Sequence, residues 1–147
     1  MDEPITCYEK TQLHISVREL VEFILRSGDI EESSEIRDSL KSMQEGIKLH
    51  RWIQKGMPSE YHAEVPINHL MTYDEYDLLI DGRADGIIYD NDEVPIMIDE
   101  IKGTNRDISK IKEPAMVHVA QAICYGFFCA YNNNLLGMDI QITYGNL

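Results

Sequence analysis

The sequence predicts an α/β domain built on a central mixed β-sheet flanked by helices. Three observations carry that prediction. Apolar residues recur at helical spacing through the first third of the chain and again near its end. Between those segments they bunch into short strand-like runs punctuated by Gly, Pro, Asn and Asp. The chain has 147 residues and is 44% hydrophobic, enough for one domain with a real core.

The elements follow in order. Residues 1–14 read as an irregular or extended lead-in. Ser16-Val-Arg-Glu19 is a capping-box pattern that opens a helix over Val17 to Leu25, and Ser27-Gly-Asp closes it. A second helix is expected from about Ser34 to Lys55, with Gly56 and Pro58 as its stop. Its apolar stripe is Ile36, Leu40, Met43, Ile47 and Ile53, and His50 and Gln54 continue the spacing. That stripe should face the sheet. Ala63 to Ile67 then reads as a short strand, with Pro66 marking an edge or an irregularity. Glu75 to Ile80 and Arg83 to Tyr89 read as strand with Gly82 at a kink, Asp90 to Glu93 as a turn, and Val94 to Lys102 as the next strand. A polar loop leads to Pro114, which fits the first turn of a helix ending near Tyr131. Met138 to Tyr144 is the last strand.

Charge and cysteine usage bound the function. There are 26 acids against 13 Lys and Arg, a net charge of −13. Nucleic-acid binders are usually basic, so this balance predicts weak binding by the domain alone. No apolar run is long enough for a membrane span, and the Met-Asp-Glu-Pro start has no signal-peptide pattern. Cys7, Cys124 and Cys129 are sparse and lack metal-ribbon spacing. They suit a reducing, cytoplasmic setting, with Cys124 and Cys129 as buried thiols.

The chemistry concentrates between Asp81 and Lys102. Two apolar strands each deliver a carboxylate, Asp85 and Glu100, and Lys102 follows two positions after Glu100. In a strand, residues i and i+2 share a face, so Glu100 and Lys102 project together while Asp99 and Ile101 point the other way. In a hairpin, Asp85 sits beside Glu100. Ile96 and Ile98 precede Glu100 on its face, which should therefore be apolar and turned to the core. A buried Glu beside a buried Lys is costly unless used. Two acids and one lysine are the minimum equipment for a hard cation and a polarised water. His50 joins them from the second helix, with Gly46 one turn earlier leaving space beside its ring. His14, His62, His69 and His118 read as surface or structural. Gln121 and Tyr125 share one face of the last helix.

Together these residues resemble the PD-(D/E)XK nuclease superfamily, in the branch of RecB-type nucleases and CRISPR-associated exonucleases. The matching elements come in family order: Gly46-x3-His50, Gly82-x2-Asp85, Glu100-Ile-Lys102 and Gln121-x3-Tyr125. The tract from Ile15 to Ile30 and the Gly-Arg-Ala-Asp-Gly core also look like the nuclease-like domain at the start of some bacterial superfamily-two helicases. The resemblance implies a restriction-endonuclease-like fold with an αβββαβ core and an extra N-terminal helix. It implies Mg²⁺ or Mn²⁺ on His50, Asp85, Glu100 and the Ile101 carbonyl, with Lys102 activating water. Gln121 and Tyr125 would complete the catalytic set, and Glu64 would stand in the metal's outer shell. DNA would be the substrate, and a helicase domain or subunit a possible partner. The family's nominal Pro-Asp is Ala84-Asp85 here, and three cysteines cannot supply a four-cysteine iron–sulfur cluster, so none is expected. The competing expectation is a non-catalytic module of a helicase or repair complex. A basic path of Arg51, Lys55, Arg106, Lys110 and Lys112 at one mouth would favour the nuclease.

Overall fold

The computed structural model describes residues 9–25 and 36–147. The element order is β1 (Thr11–Ser16), α1 (Val17–Ile24), α2 (Ile36–Lys55), β2 (Tyr61–Thr72), β3 (Tyr76–Tyr89), β4 (Pro95–Thr104), α3 (Met116–Asn132) and β5 (Asp139–Asn146). A single 3-10 turn, Ile108–Lys110, interrupts the loop before α3.

The long strand β3 organises the sheet. Antiparallel β2 pairs with it from Asp77 to Ile88. Both β1 and β2 pair with the start of β3, so they occupy its two opposite edges. Parallel β1 covers one edge only as far as Asp81, and antiparallel β4 joins that same edge only from Gly86 onward. Positions 82–85 of β3 are therefore left without a backbone partner on that edge. Past Asp99, β4 diverges from β3 and continues alongside parallel β5, from Met97↔Asp139 to Thr104↔Asn146. The sheet thus forks at Asp85.

One face of the fork is filled by apolar packing. Val17 and Val21 of α1, Ile80, Ala84 and Ile87 of β3, Ile98 of β4 and Phe128 of α3 form a continuous buried core. Each large aliphatic there contributes about 1.5–3 kcal/mol by leaving water. Two glycines permit the closest approaches. A Cβ on Gly82 would lie 2.6 Å from the Tyr125 hydroxyl, and one on Gly86 would collide with the ring of Tyr61. Helix α2 lies against β4 and β5, with Leu49 packed on Gly145.

Several expectations change. The lead-in contains strand β1, and β2 runs for 12 residues rather than over Ala63 to Ile67 alone. β2 has no second partner among the described residues, as Pro66 indicated. β3 is continuous through Gly82. α3 starts at Met116 with Ala115 as its N-cap, so Pro114 precedes the helix instead of opening it. Ile96 is 43% exposed while Ile98 is fully buried, so the core face of β4 begins at Ile98. Leu40, Met43 and Ile47 are exposed rather than buried against the sheet, and Met43 and Ile47 line an open cleft. The Ser16–Glu19 capping box is formed on both sides. The first helix's stop at Ser27, the start of the second at Ser34, and Cys7 lie outside the described residues. No helix among the described residues is long and apolar enough to cross a membrane.

Candidate metal centre and active-site cleft

The gap in the sheet is also where the sequence-selected residues meet. A cleft of about 360 Å³ opens beside positions 82–85 of β3. α2 supplies Gly46 and His50 to it, β3 supplies Arg83 and Asp85, β4 supplies Glu100, Ile101 and Lys102, and α3 supplies Gln121 and Tyr125. Arg18, in the first turn of α1, reaches the same cleft. It does so because β1 runs parallel to β3 and delivers the start of α1 to the gap.

Asp85 is the pivot. Its Oδ2 accepts the Ile101 N–H at 2.7 Å, a side-chain bond that takes over where the β3–β4 ladder stops. Its Oδ1 lies 3.3 Å from His50 Nδ1. That contact raises the His50 pKa above its ordinary value, against burial and Lys102, which lower it. Glu64 completes a cluster: its carboxylate, that of Asp85 and a ring nitrogen of His50 all lie within 4.8 Å of one another. Imidazole and carboxylate together suit Mn²⁺ as well as Mg²⁺.

Glu100 and Lys102 form the second half of the site. Lys102 Nζ stands 2.8 Å from Glu100 Oε1. Burial, and then the neighbouring Asp85 charge, raise the Glu100 pKa, while Lys102 and His50 oppose the shift. Glu100 Oε2 is buried without a hydrogen-bond partner, as is Gln121 Oε1. Both residues line the cleft, and unpaired buried oxygens of this kind are costly unless a cation or donor meets them. The donor set therefore fits a divalent cation. Burial, and then the nearby Glu100 charge, push the Tyr125 hydroxyl up to about 12, against the Arg83 backbone, which lowers it. It stays a neutral donor at ordinary pH.

Arg18 and Asp99 carried no site signal in the sequence, and Gln54 and Glu64 take larger parts than their pattern indicated. Gln54 bridges Glu64 and the Asp85 carbonyl. Arg18 was visible only as part of a capping box. Asp99 points away from Glu100 as its strand position requires, yet it is fully buried. There it accepts from Tyr61 Oη at 2.7 Å, Thr143 Oγ1 at 2.6 Å and Gln141 Nε2 at 3.2 Å, which locks β2, β4 and β5 together behind the site. Glu64, placed by the sequence at the periphery, is in the cluster itself. The discriminating basic path is not at the mouth: Arg51, Lys55, Arg106, Lys110 and Lys112 do not line the cleft, whose lysines and arginines among the described residues are Arg18, Arg83 and Lys102, and this outcome favours the non-catalytic readings. The remaining histidines are engaged elsewhere. His14 pairs with Asp81, His62 packs on Tyr89, His69 stacks on Phe128, and His118 contacts the Tyr144 hydroxyl.

No family model matches the chain, and no curated protein matches it. Its fold is similar to that in the crystal structure of SSO0001, with a TM-score of 0.58 and 21% sequence identity, covering 95% of this chain. The chain spans 65% of the length of that protein. At this identity the likeness establishes the fold alone. The architecture is the restriction-endonuclease-like α/β fold, with a central mixed five-stranded sheet flanked by helices.

Proposed function

We propose that this domain is a divalent-metal-dependent deoxyribonuclease of exonuclease type, acting in DNA repair or recombination. The observation that carries the reading is the convergence at one fork of the sheet. The His50–Glu64–Asp85 cluster stands there beside a buried Glu100–Lys102 pair with an unpartnered carboxylate oxygen. A structural ion pair would not require the surrounding histidine, glutamine and tyrosine to face the same cleft.

When bound, Mg²⁺ or Mn²⁺ would lower the pKa of a water and offset charge on the scissile phosphate. His50, Glu64, Asp85 and Glu100 would hold the ion, with the Ile101 carbonyl as a further oxygen. Lys102, anchored by Glu100, would hold the attacking water and offset charge developing on the phosphate. Attack forms the new P–O bond, the P–O bond to the leaving sugar oxygen breaks, and that oxygen takes up a proton. Gln121 and the neutral Tyr125 hydroxyl would orient the phosphate backbone as donors. The free Cys124 and Cys129 thiols suit a reducing cytoplasm.

A second reading has the charge distribution in its favour: Arg51, Lys55, Arg106, Lys110 and Lys112 are all absent from the cleft lining. Each cation of the cleft stands near an acid: Arg18 near Glu22, Arg83 near Glu64 and Lys102 near Glu100. The net charge of −13 adds to this. A domain that leaves nucleic-acid capture to a helicase or repair partner would have that surface. The two readings separate on end-labelled single- and double-stranded DNA incubated with Mn²⁺, with Mg²⁺ and with chelator. Cation-dependent cleavage that disappears in Asp85→Asn supports the nuclease. Cation binding without cleavage under any condition supports the accessory module.

A further inference from the structure

Gln54 sits one turn beyond His50 on α2 and so shares its face. Its single amide nitrogen donates twice, to Glu64 Oε1 at 2.8 Å and to the Asp85 backbone carbonyl at 3.0 Å. Both acceptors belong to the one interruption in the β2–β3 register. Ala63 pairs with Gly86 and Val65 with Ala84, but Glu64 and Asp85 do not pair. The Asp85 carbonyl, released from the ladder, needs a donor, and Gln54 provides it.

Glu64 itself has a φ of 55°. That left-handed conformation is unfavourable for a residue with a Cβ, and in the middle of a strand it breaks the side-chain alternation. Strain of this kind persists only where surrounding contacts hold it, and it concentrates at functional sites. Here the contacts are Gln54 on one carboxylate oxygen and, more distantly, Arg83 Nη1 at 4.0 Å from the other. The twist turns Glu64 toward His50 and Asp85.

We propose that Gln54 is a positioning residue that holds Glu64, in its strained conformation, as a direct ligand of the cation rather than an outer-shell acid. The proposal rests on the cation-dependent reading above and adds a residue and a ligand to it. Partners that hold a metal-binding carboxylate in place are worth about 10–100-fold in metal affinity. Gln54 therefore acts on the cation through Glu64, and its contribution should depend on Glu64 being present.

The test is a double-mutant cycle on the full chain, with Mn²⁺ affinity read by calorimetry and by the EPR signal of unbound Mn²⁺. The proteins are the wild type, Gln54→Met, Glu64→Gly and the double variant. Methionine keeps the length and helix propensity of glutamine without its donors, and metal-free thermal unfolding checks that each variant is folded. Gln54→Met is expected to weaken Mn²⁺ binding about tenfold or more in the wild type. In the Glu64→Gly background it is expected to weaken binding about threefold or less, because only the Asp85 carbonyl bond remains to lose. An equal factor in both backgrounds, or wild-type affinity in Gln54→Met, overturns the positioning role and leaves the nuclease reading standing. Failure of the wild type to bind Mn²⁺ overturns both.

Discussion

Replacing Glu64 by glycine and by alanine separates the backbone at this position from the carboxylate. Both variants lose the Gln54 hydrogen bond and the Arg83 contact, so those losses cancel in the comparison. What remains is the cost of a φ of 55°, which the flanking pairs Ala63–Gly86 and Val65–Ala84 and the Gln54 bond to the Asp85 carbonyl still hold in both variants. For a residue with a Cβ the left-handed region costs about 1–2 kcal/mol. Glycine avoids that cost but gives up about 0.5–1 kcal/mol of extra chain entropy on folding. The net difference spans about 0–1.5 kcal/mol in favour of glycine and centres on ~0.75 kcal/mol. At that centre, for a domain of this size, it is about 1.5–3 °C in the unfolding midpoint. The order is the reverse of an ordinary strand interior, where glycine is the less stable of the two. Thermal unfolding in chelator, followed by circular dichroism, reads the difference directly. An alanine variant more stable than the glycine variant would refute the claim that the backbone is strained here.

Two further outcomes follow from the site and its support. Tyr61→Phe keeps the ring packed on Gly86 and removes one bond to the buried Asp99 carboxylate, at a cost of about 1.5–3 kcal/mol in denaturant unfolding; Mn²⁺ affinity should not change, and a fall in affinity would place Asp99 in the cation site. The pH dependence has opposite signs with and without the cation. Glu100 and His50 have raised pKa values in the metal-free fold, so that fold binds more protons than the unfolded chain as each titrates. Their contribution is fully present below the ordinary pKa values and is lost as pH rises through the raised ones. Cation ligation needs both groups deprotonated, so Mn²⁺ affinity should rise over the same window with release of protons. Calorimetry in buffers of differing ionisation enthalpy measures that release, and Glu100→Gln should reduce it. Affinity independent of pH would remove these two residues from the ligand set.

Most of the element order was legible because helical and strand periods differ in the sequence and because the punctuation is plain: the Ser16–Glu19 box, Gly56, and the Asp90–Glu93 turn. The β3–β4 hairpin, which pairs Gly86 with Asp99 and so brings Asp85 near Glu100, was legible for the same reason. β1 was not, since its residues are mostly exposed and carry no core signal, and its parallel pairing with Tyr76 to Asp81 is a tertiary fact. That omission hid Arg18, whose place at the cleft depends on β1. Asp99 read as the outward neighbour of Glu100. Its partners Tyr61 and Thr143 lie 38 and 44 residues away, and only the fold joins them. Ile96 kept the alternation of a core face but sits too near the strand end to be covered. Glu64 was undervalued because its position depends on a backbone angle that no residue pattern announces. Gln54 was visible as a continuation of the His50 stripe, but its role requires knowing that the β2–β3 pairing skips Glu64 and Asp85 beneath it.

The central claim is tested most directly by one comparison, wild type against Lys102→Ala, with DNA cleavage and Mn²⁺ binding measured on the same preparations. Lys102 is assigned to the water and the phosphate rather than to the cation. The prediction is cleavage by the wild type, reduced about 100-fold or more in the variant, with Mn²⁺ still bound by both. Equal cleavage by both proteins, or none by a wild type that binds Mn²⁺ well, would contradict it.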